Sequence, residues 1–152
     1  MAQNTKPIYS LIPKVAFGTI TGNVGLTRSD GVGTIGTDIF KIFTAHATDG
    51  SFVTKIRISC AATASASMTA SVLRFYISSV ASGATTAADT VLYQEVAVAA
   101  LAASHTSNAT NFYEVAFGLP LAAGQTILVS IDDNLAANTR WQFLVFAGDY
   151  AA

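Results

Sequence analysis

The sequence predicts an all-β protein: a single-domain antiparallel β-sandwich of about eight strands, with a jelly-roll or related Greek-key topology. Short segments rich in β-branched and aromatic residues alternate with turn-forming residues, at the spacing that is typical of such sandwiches. The 152 residues match the usual size of one domain. Since 51% of them are apolar, the chain can bury a core without a metal ion or a disulfide.

The first 13 residues predict an extended arm before a β-sandwich domain of residues 14–152. Pro7 and Pro13 enclose a mostly apolar segment, and each proline restricts the preceding residue to extended geometry. Such a segment loses less entropy on ordering than a flexible one, so we expect it to lie on a neighbouring subunit. The predicted contact residues are Pro7, Ile8, Tyr9, Leu11, Ile12 and Pro13. Deletion of residues 2–13 should then leave a folded sandwich that has lost this contact.

Three strands are predicted in the first half of the chain, at residues 14–21, 38–45 and 52–60. The sequence Asp49-Gly50 tolerates a positive φ and favours a tight turn, so the second and third strands are expected to form a hairpin. Alternation in the third strand predicts one common face for Phe52, Thr54, Ile56, Ile58 and Cys60.

Five further strands are predicted at residues 71–78, 91–98, 112–119, 125–131 and 140–147, most of them with alternating apolar and polar side chains. In the strand at residues 112–119, Tyr113, Val115 and Phe117 share one face, opposite Phe112 and Glu114. The segments between them are built largely of Ala, Ser and Thr and predict irregular connections. One alternative is a single helical turn at residues 99–103, because alanine is the best helix former, although one turn is too short to stand alone.

The last predicted strand is apolar on both faces. Trp141, Phe143 and Val145 share one face, and Leu144 and Phe146 share the other. A sandwich buries only one face of each sheet, so Leu144 and Phe146 are expected to meet a partner.

Charge and targeting signals exclude several classes of partner. Only 17 residues carry charge, roughly one per 430 Å² of expected surface, which indicates that other subunits cover much of the outside. The net charge of −1 and the lack of a basic cluster predict no nucleic acid and no membrane partner. The start of the chain lacks a secretory signal, so synthesis in a cytoplasm is expected. The single cysteine, Cys60, is expected in the core.

The motifs that could carry chemistry favour ordinary structural roles, so we predict no enzyme, no catalytic residue, no metal and no cofactor. Residues 31–36 match G-x-G-x-x-G, but a β-branched segment follows where a dinucleotide site needs a helix. Glu95 and Glu114 lie on the polar faces of their strands. His46 and His105 have no metal-ligand spacing around them.

Two binding interpretations remain open beside their structural alternatives. The Asp132-Asp133-Asn134 triplet could bind calcium, although the spacing of a calcium loop is absent and a turn is favoured. A shared exposed face of aromatic side chains could stack sugars, although core and interface packing is the more frequent use. The aromatic candidates are Trp141, Tyr76, Tyr93, Tyr113 and Phe112.

Four segments, residues 6–17, 49–58, 119–127 and 147–150, together resemble small β-sandwich virion proteins of tailed bacteriophages. Proteins of that type decorate or cement a capsid. The resemblance implies a structural protein present in many copies on the capsid exterior, where it stabilises the seams between capsomers. Its expected partners are itself, as a homotrimer or other closed homo-oligomer, and the shell of major capsid protein. The alternative is a virion fibre or receptor-binding β-sandwich that recognises host-surface glycans through exposed aromatic residues.

Overall fold

A computed structural model describes residues 12–21, 29–62, 66–103, 112–132, 135 and 137–150. These residues form ten strands and no helix. The strands are β1 (Ile12–Thr21), β2 (Phe40–Thr44), β3 (Ser51–Ala62), β4 (Ala66–Met68), β5 (Ser71–Ser78), β6 (Thr90–Val98), β7 (Leu101–Ala103), β8 (Phe112–Leu121), β9 (Thr126–Ile131) and β10 (Thr139–Asp149). Within this part of the chain no helix is long and apolar enough to cross a membrane.

Eight of the strands form two four-stranded antiparallel sheets. The front sheet has the order β1-β10-β3-β8, and the back sheet has the order β2-β9-β5-β6. Successive strands alternate between the two sheets except for β5 and β6, which pair directly. The short strands β4 and β7 pair as a separate ribbon. The predicted antiparallel β-sandwich is therefore confirmed.

The core lies between the two sheets and is built from side chains that alternate inward along each strand. Phe143 of β10 and Phe117 of β8 meet Phe75 of β5 edge to face, with ring centroids 6.1 and 5.8 Å apart. Trp141 and Val145 are fully buried on the same face of β10 as Phe143. The inward faces predicted for the last strand and for β8 are confirmed.

The predicted inward face of β3 is wrong at its start, because the strand contains a β-bulge. The register with β8 and with β10 shifts around residues 53–55. A bulge inserts one residue and reverses the side on which the preceding residues lie. Val53 is therefore buried, whereas Thr54 is exposed and Phe52 is only partly covered.

The predicted hairpin of β2 and β3 is also wrong, although its turn is present. Gly50 has a φ of 78° and donates its N–H to the His46 carbonyl oxygen over 3.2 Å. The turn carries the chain across the end of the sandwich, so β2 pairs with β9 while β3 pairs with β10 and β8. A side chain at position 50 would overlap the Leu121 carbonyl oxygen, so the close crossing requires glycine.

Two further differences concern segment boundaries. The first strand begins at Ile12, two residues earlier than expected, and pairs there with Asp149. The helical turn considered at residues 99–103 is wrong, since Leu101 opens a strand that pairs with Ala66–Met68. Leu101 and Met68 are both buried in the core, and this packing overrides the helix propensity of the alanines.

Candidate interface on the front sheet

The outer face of the back sheet is covered by the protein itself. Ile39, Tyr76 and Leu128 are fully buried in a small second cluster outside the main core. Gly31 lies directly on this cluster, since a Cβ there would stand 2.7 Å from Cδ1 of Tyr76. Thr85 fixes the covering segment by donating its hydroxyl to the Gly31 carbonyl oxygen over 2.6 Å. The chain therefore covers the middle of this sheet, whereas the edge strand β6 still exposes Val91 and Leu92.

The G-x-G-x-x-G sequence belongs to that covering segment. Gly31 and Gly36 have φ values of 72° and 95°, which glycine adopts without strain. Thr34, which lies between these two glycines, donates its N–H to the Asp38 carboxylate over 2.8 Å. The segment is a turn-rich cover that leads into β2, with no helix after it to receive a phosphate.

The outer face of the front sheet carries an apolar strip along β1 and β10. The strand register places Val15 beside Phe146 and Phe17 beside Leu144. Phe17 is 79% exposed and Val15 is 51% exposed, among the most exposed apolar side chains of the described ranges. Leu144 and Phe146 are partly covered. We call these four residues the apolar strip, and it contains both residues of the last strand that were expected to meet a partner.

The other two strands of this face carry charge that is already paired. Glu114 of β8 accepts hydrogen bonds from Arg57 Nη2 at 2.7 Å and from Lys55 Nζ at 3.1 Å. These bonds, with that from Arg57 first, hold the pKa of Glu114 below its ordinary value. The two cations also lie over aromatic rings, Lys55 over Phe146 at 5.2 Å and Arg57 over Phe112 at 5.5 Å. Both cations of this part of the face are therefore already bound to Glu114, and the three side chains together carry a net charge of +1.

A depression on the front face is smaller than the usual site for a small molecule. A shallow depression beside Phe17, Gln142 and Leu144 has a volume of about 220 Å³. Sites for small ligands usually enclose roughly 300–1,000 Å³ and bury most of the ligand. The shape of this face fits another protein surface instead.

A polar cluster fastens the start of β1 to the end of β10. Lys14 Nζ lies 3.1 Å from Asp149 Oδ1 and donates to the Thr44 carbonyl oxygen over 3.1 Å. Ser51 donates its hydroxyl to the same carboxylate, and Tyr150 donates its N–H to the Gly50 carbonyl oxygen over 3.1 Å. The cluster connects both sheets at the end of the sandwich where β1 begins.

The predicted arm falls mostly outside the described residues. Pro7, Ile8, Tyr9 and Leu11 belong to the part of the chain that the structure leaves out. Ile12 and Pro13 are instead the first residues of β1 and are exposed. Of the six predicted contact residues, these two are the ones that the structure describes.

The carboxylates and histidine considered for chemistry have local partners. Glu95 accepts a hydrogen bond from Arg74 over 2.7 Å, and His46 Nδ1 lies 3.1 Å from an Asp49 oxygen. Burial opposes ionisation of Asp132, but hydrogen bonds outweigh it and lower its pKa. Within the described ranges, no three His, Cys, Asp or Glu side chains are grouped to hold a metal ion. His105, Asp133 and Asn134 lie outside those ranges.

Cys60 lies where the alternation predicted a core residue. Its side chain is buried on the inner face of β3, and burial raises the pKa of its thiol. A protonated, buried thiol is a poor nucleophile, so the residue acts as a small apolar core side chain.

The aromatic candidates do not form one sugar-stacking face. Trp141 and Tyr76 are fully buried in different clusters. Tyr93 lies against Phe117 of the other sheet, with ring centroids 4.8 Å apart, and donates its hydroxyl to the Phe117 carbonyl oxygen over 2.8 Å. Phe112 is 62% exposed but lies on the front sheet. The glycan-stacking platform is therefore not assembled from these residues.

Sequence reasoning missed Val15 and Phe17, although the sequence contained a signal for them. In the middle of β1 the inward positions hold the small residues Ala16 and Gly18, while the outward positions between and before them hold Val15 and Phe17. Gly18 must be small because β2 crosses close behind it at Ile42. A strand with small residues inside and large apolar residues outside indicates an external contact.

The comparisons with known proteins show the fold. No protein-family model and no curated protein match the chain. A chain from the capsid of Ralstonia phage GP4 is 15% identical over 97% of this chain and 90% of that one, with a TM-score of 0.50. A chain from the cyanophage Pam1 capsid asymmetric unit is 14% identical over 95% and 93%, with a TM-score of 0.39. The PRD1 vertex protein P5 is 12% identical over 92% and 74%, with a TM-score of 0.37.

The similarity to the Ralstonia phage GP4 chain spans nearly the whole of both chains. The sandwich fold implied by the resemblance to phage virion proteins is therefore confirmed.

Proposed function

We propose that this protein is a structural component of a phage virion that decorates or cements the capsid exterior, through contacts with copies of itself and with the shell of major capsid protein. The observation that carries this proposal is the contrast between the two outer faces. The back sheet is covered by its own chain around Ile39 and Tyr76, whereas the front sheet leaves Val15 and Phe17 exposed.

The topology supports a virion role. The strand orders β1-β10-β3-β8 and β2-β9-β5-β6 support a jelly-roll topology within this proposal, and viral capsid domains and lectins use that fold. The chain from the Ralstonia phage GP4 capsid has the same sandwich fold. The dispersed aromatic residues weigh against a lectin-like use of the fold.

The proposed mechanism is the burial of apolar surface across the joints of a lattice, with no chemical step. Interfaces of this kind are depleted in charge and enriched in aromatic residues. The front face matches that description, because Phe17 is open to solvent while Glu114 is satisfied by Lys55 and Arg57. The arm is proposed to add a second contact, since it joins β1 at Ile12 beside this face.

Binding to undecorated phage heads tests the proposal. The full chain should co-sediment with heads and saturate at a large, fixed copy number per particle. A variant that lacks residues 2–10 is the matched comparison, because it leaves β1 and the Lys14–Asp149 pair in place. We expect the truncated chain to keep its thermal unfolding transition and to lose head binding. A full chain that never co-sediments with heads would refute the proposed function.

If the truncated chain binds heads as tightly as the full chain, the shell contact does not involve the arm. If it fails to fold, the arm is instead an intrinsic part of the sandwich. A glycan array provides the opposite control. Selective glycan binding, together with few copies per head, would favour the receptor-binding alternative.

A further inference from the structure

We propose that the apolar strip packs against the apolar strip of a second copy of this chain. The two copies would be related by a two-fold axis that lies between their facing sheets, parallel to the strands and above the gap between β1 and β10. This inference deepens the proposed function and rests on it, since it assigns the contact between copies to one face. The axis would place Phe17 over Leu144 of the partner subunit and Val15 over Phe146 of the partner subunit. Each contact would occur twice.

The shape of the strip supports a self-complementary contact. Its four side chains form two rows across two neighbouring strands, Phe17 beside Leu144 and Val15 beside Phe146. A rotation that exchanges the two strands therefore places the large exposed residues of β1 on the more covered residues of β10. Two flat sheets can approach face to face at about 10 Å, which is the spacing of a packed sandwich.

The charges around the strip favour an uncharged partner. Lys55 and Arg57 lie on β3, next to the strip. Both donate hydrogen bonds to Glu114 on β8, the strand that is farther from the strip. A charged group of a partner would have to displace Glu114 to reach either cation. A second copy is a suitable partner, since its net charge is only −1 and its own strip is apolar.

The position of the charged residues also fits the proposed axis. With the axis between β1 and β10, the strands β3 and β8 lie towards the rim of the contact. Lys55, Arg57 and Glu114 then remain in contact with water, so the contact has an apolar centre and a polar rim.

The area of the face indicates a dimer that dissociates on dilution. Ten residue pairs join β1 to β10. With strands about 4.8 Å apart and a rise of about 3.4 Å per residue, the two strands that overlap about this axis cover roughly 330 Å². A stable interface buries about 800 Å² on each partner. We therefore expect a reversible monomer–dimer equilibrium in solution, which high local concentration on a lattice would shift towards the dimer.

The second exposed apolar patch fits this contact less well. Val91, Leu92 and Tyr93 lie on β6, the edge strand of the back sheet. The patch is one strand wide, and the Tyr93 hydroxyl is already bonded to Phe117. A contact between this patch and the apolar strip would join copies head to tail instead of about a two-fold axis.

Sedimentation velocity of the full chain over a hundred-fold range of concentration tests the inference. The wild-type protein should shift from monomer to dimer as its concentration rises. Phe17→Asp should remain monomeric throughout, and Phe17→Leu should restore dimerisation. Val91→Asp is the matched control, because Val91 is 68% exposed on the other sheet, and it should dimerise like the wild type. Thermal unfolding checks that each variant is folded, and Val15→Asp replaces Phe17→Asp if that variant is not.

Chemical cross-linking provides a second measurement that does not depend on weakening the contact. Thr19→Cys, an exposed position of β1 next to the strip, keeps all four strip residues and should give cross-linked dimers with a short bis-maleimide, whereas Val91→Cys should not; the native Cys60 is buried. A wild-type protein that stays monomeric would overturn the inference, as would dimers that are lost in Val91→Asp and kept in Phe17→Asp. Head binding is measured separately. A chain that dimerises through the strip but never binds heads would contradict the proposed function alone, and a monomer that binds heads would contradict only this inference.

Discussion

Replacement of Gly18 by alanine should destabilise the protein through one contact between the two sheets. A Cβ at position 18 would overlap Ile42 Cγ2 and would lie 2.8 Å from Ile42 Cβ and 3.1 Å from its Cα. Two of these three atoms lie on or next to the backbone of β2, so a change of side-chain rotamer alone cannot relieve the clash. The strand β1 must move, and it carries half of the apolar strip.

The expected cost follows from the usual penalty for overpacking a core. Forcing an additional carbon into a filled site costs about 1–3 kcal/mol. For a chain of this length, that range corresponds to a fall in the melting temperature of about 2–12 °C. The midpoint of urea unfolding should fall while the m-value stays constant, because the exposed surface of the unfolded chain hardly changes.

A double-mutant cycle with Ile42→Ala assigns the cost to this contact. Ile42 is 3% exposed, so its truncation alone should cost about 2–5 kcal/mol. Removal of Cγ2 makes room for the new Cβ, so the double variant should be more stable than the sum of the single effects predicts, by about 0.5–3 kcal/mol. An unchanged Gly18→Ala, or strictly additive effects, would refute the close packing of β1 on β2.

Three further predictions follow from particular contacts. Phe75→Ala should cost about 3–5 kcal/mol in urea unfolding because it opens the centre of the core, whereas Phe112→Ala should change stability by less than about 0.5 kcal/mol; equal costs would contradict the core assignment. Asp149→Ala leaves Lys14 and a buried hydroxyl without their carboxylate and should cost about 1–3 kcal/mol, with faster amide exchange at the start of β1; unchanged exchange there would show that this cluster does not fasten the strand. The lowered pKa of Asp132 means that its stabilisation is complete above the unfolded value of about 3.9 and is lost as the pH falls through the folded value. Asp132→Asn should therefore be less stable than wild type at neutral pH and lose less stability on acidification, and parallel pH profiles of urea unfolding would contradict this assignment.

Alternation in the sequence correctly predicted which side chains of β8 and β10 face the core and which face outward. In β8 the pattern placed Tyr113, Val115 and Phe117 opposite Phe112 and Glu114, and the structure agrees. In β10 it identified Leu144 and Phe146 as outward apolar residues. These positions were predictable because a strand buried on one face repeats every two residues.

The remaining features depend on contacts between distant parts of the chain. The bulge near Val53 reverses the start of β3, and it is defined by pairing with β8 and β10. The turn at Gly50 was predictable, but the choice between a hairpin and a crossing depends on which sheet each strand joins. The burial of Tyr76 beneath the covering segment was also not predictable from the sequence. Tyr76 shares a strand face with Arg74, and this pattern predicts an exposed position. Local patterns carry no information about such coverage.

The most direct test of the central claim, that the front sheet is the contact face, is hydroxyl-radical footprinting of the protein free and bound to undecorated heads. Oxidation of side chains reports which of them lose contact with water on assembly. The account predicts strong protection of Phe17 and Phe146, with little change at Val91 on the back sheet. Protection of Val91 while Phe17 remains as reactive as in the free protein would contradict it.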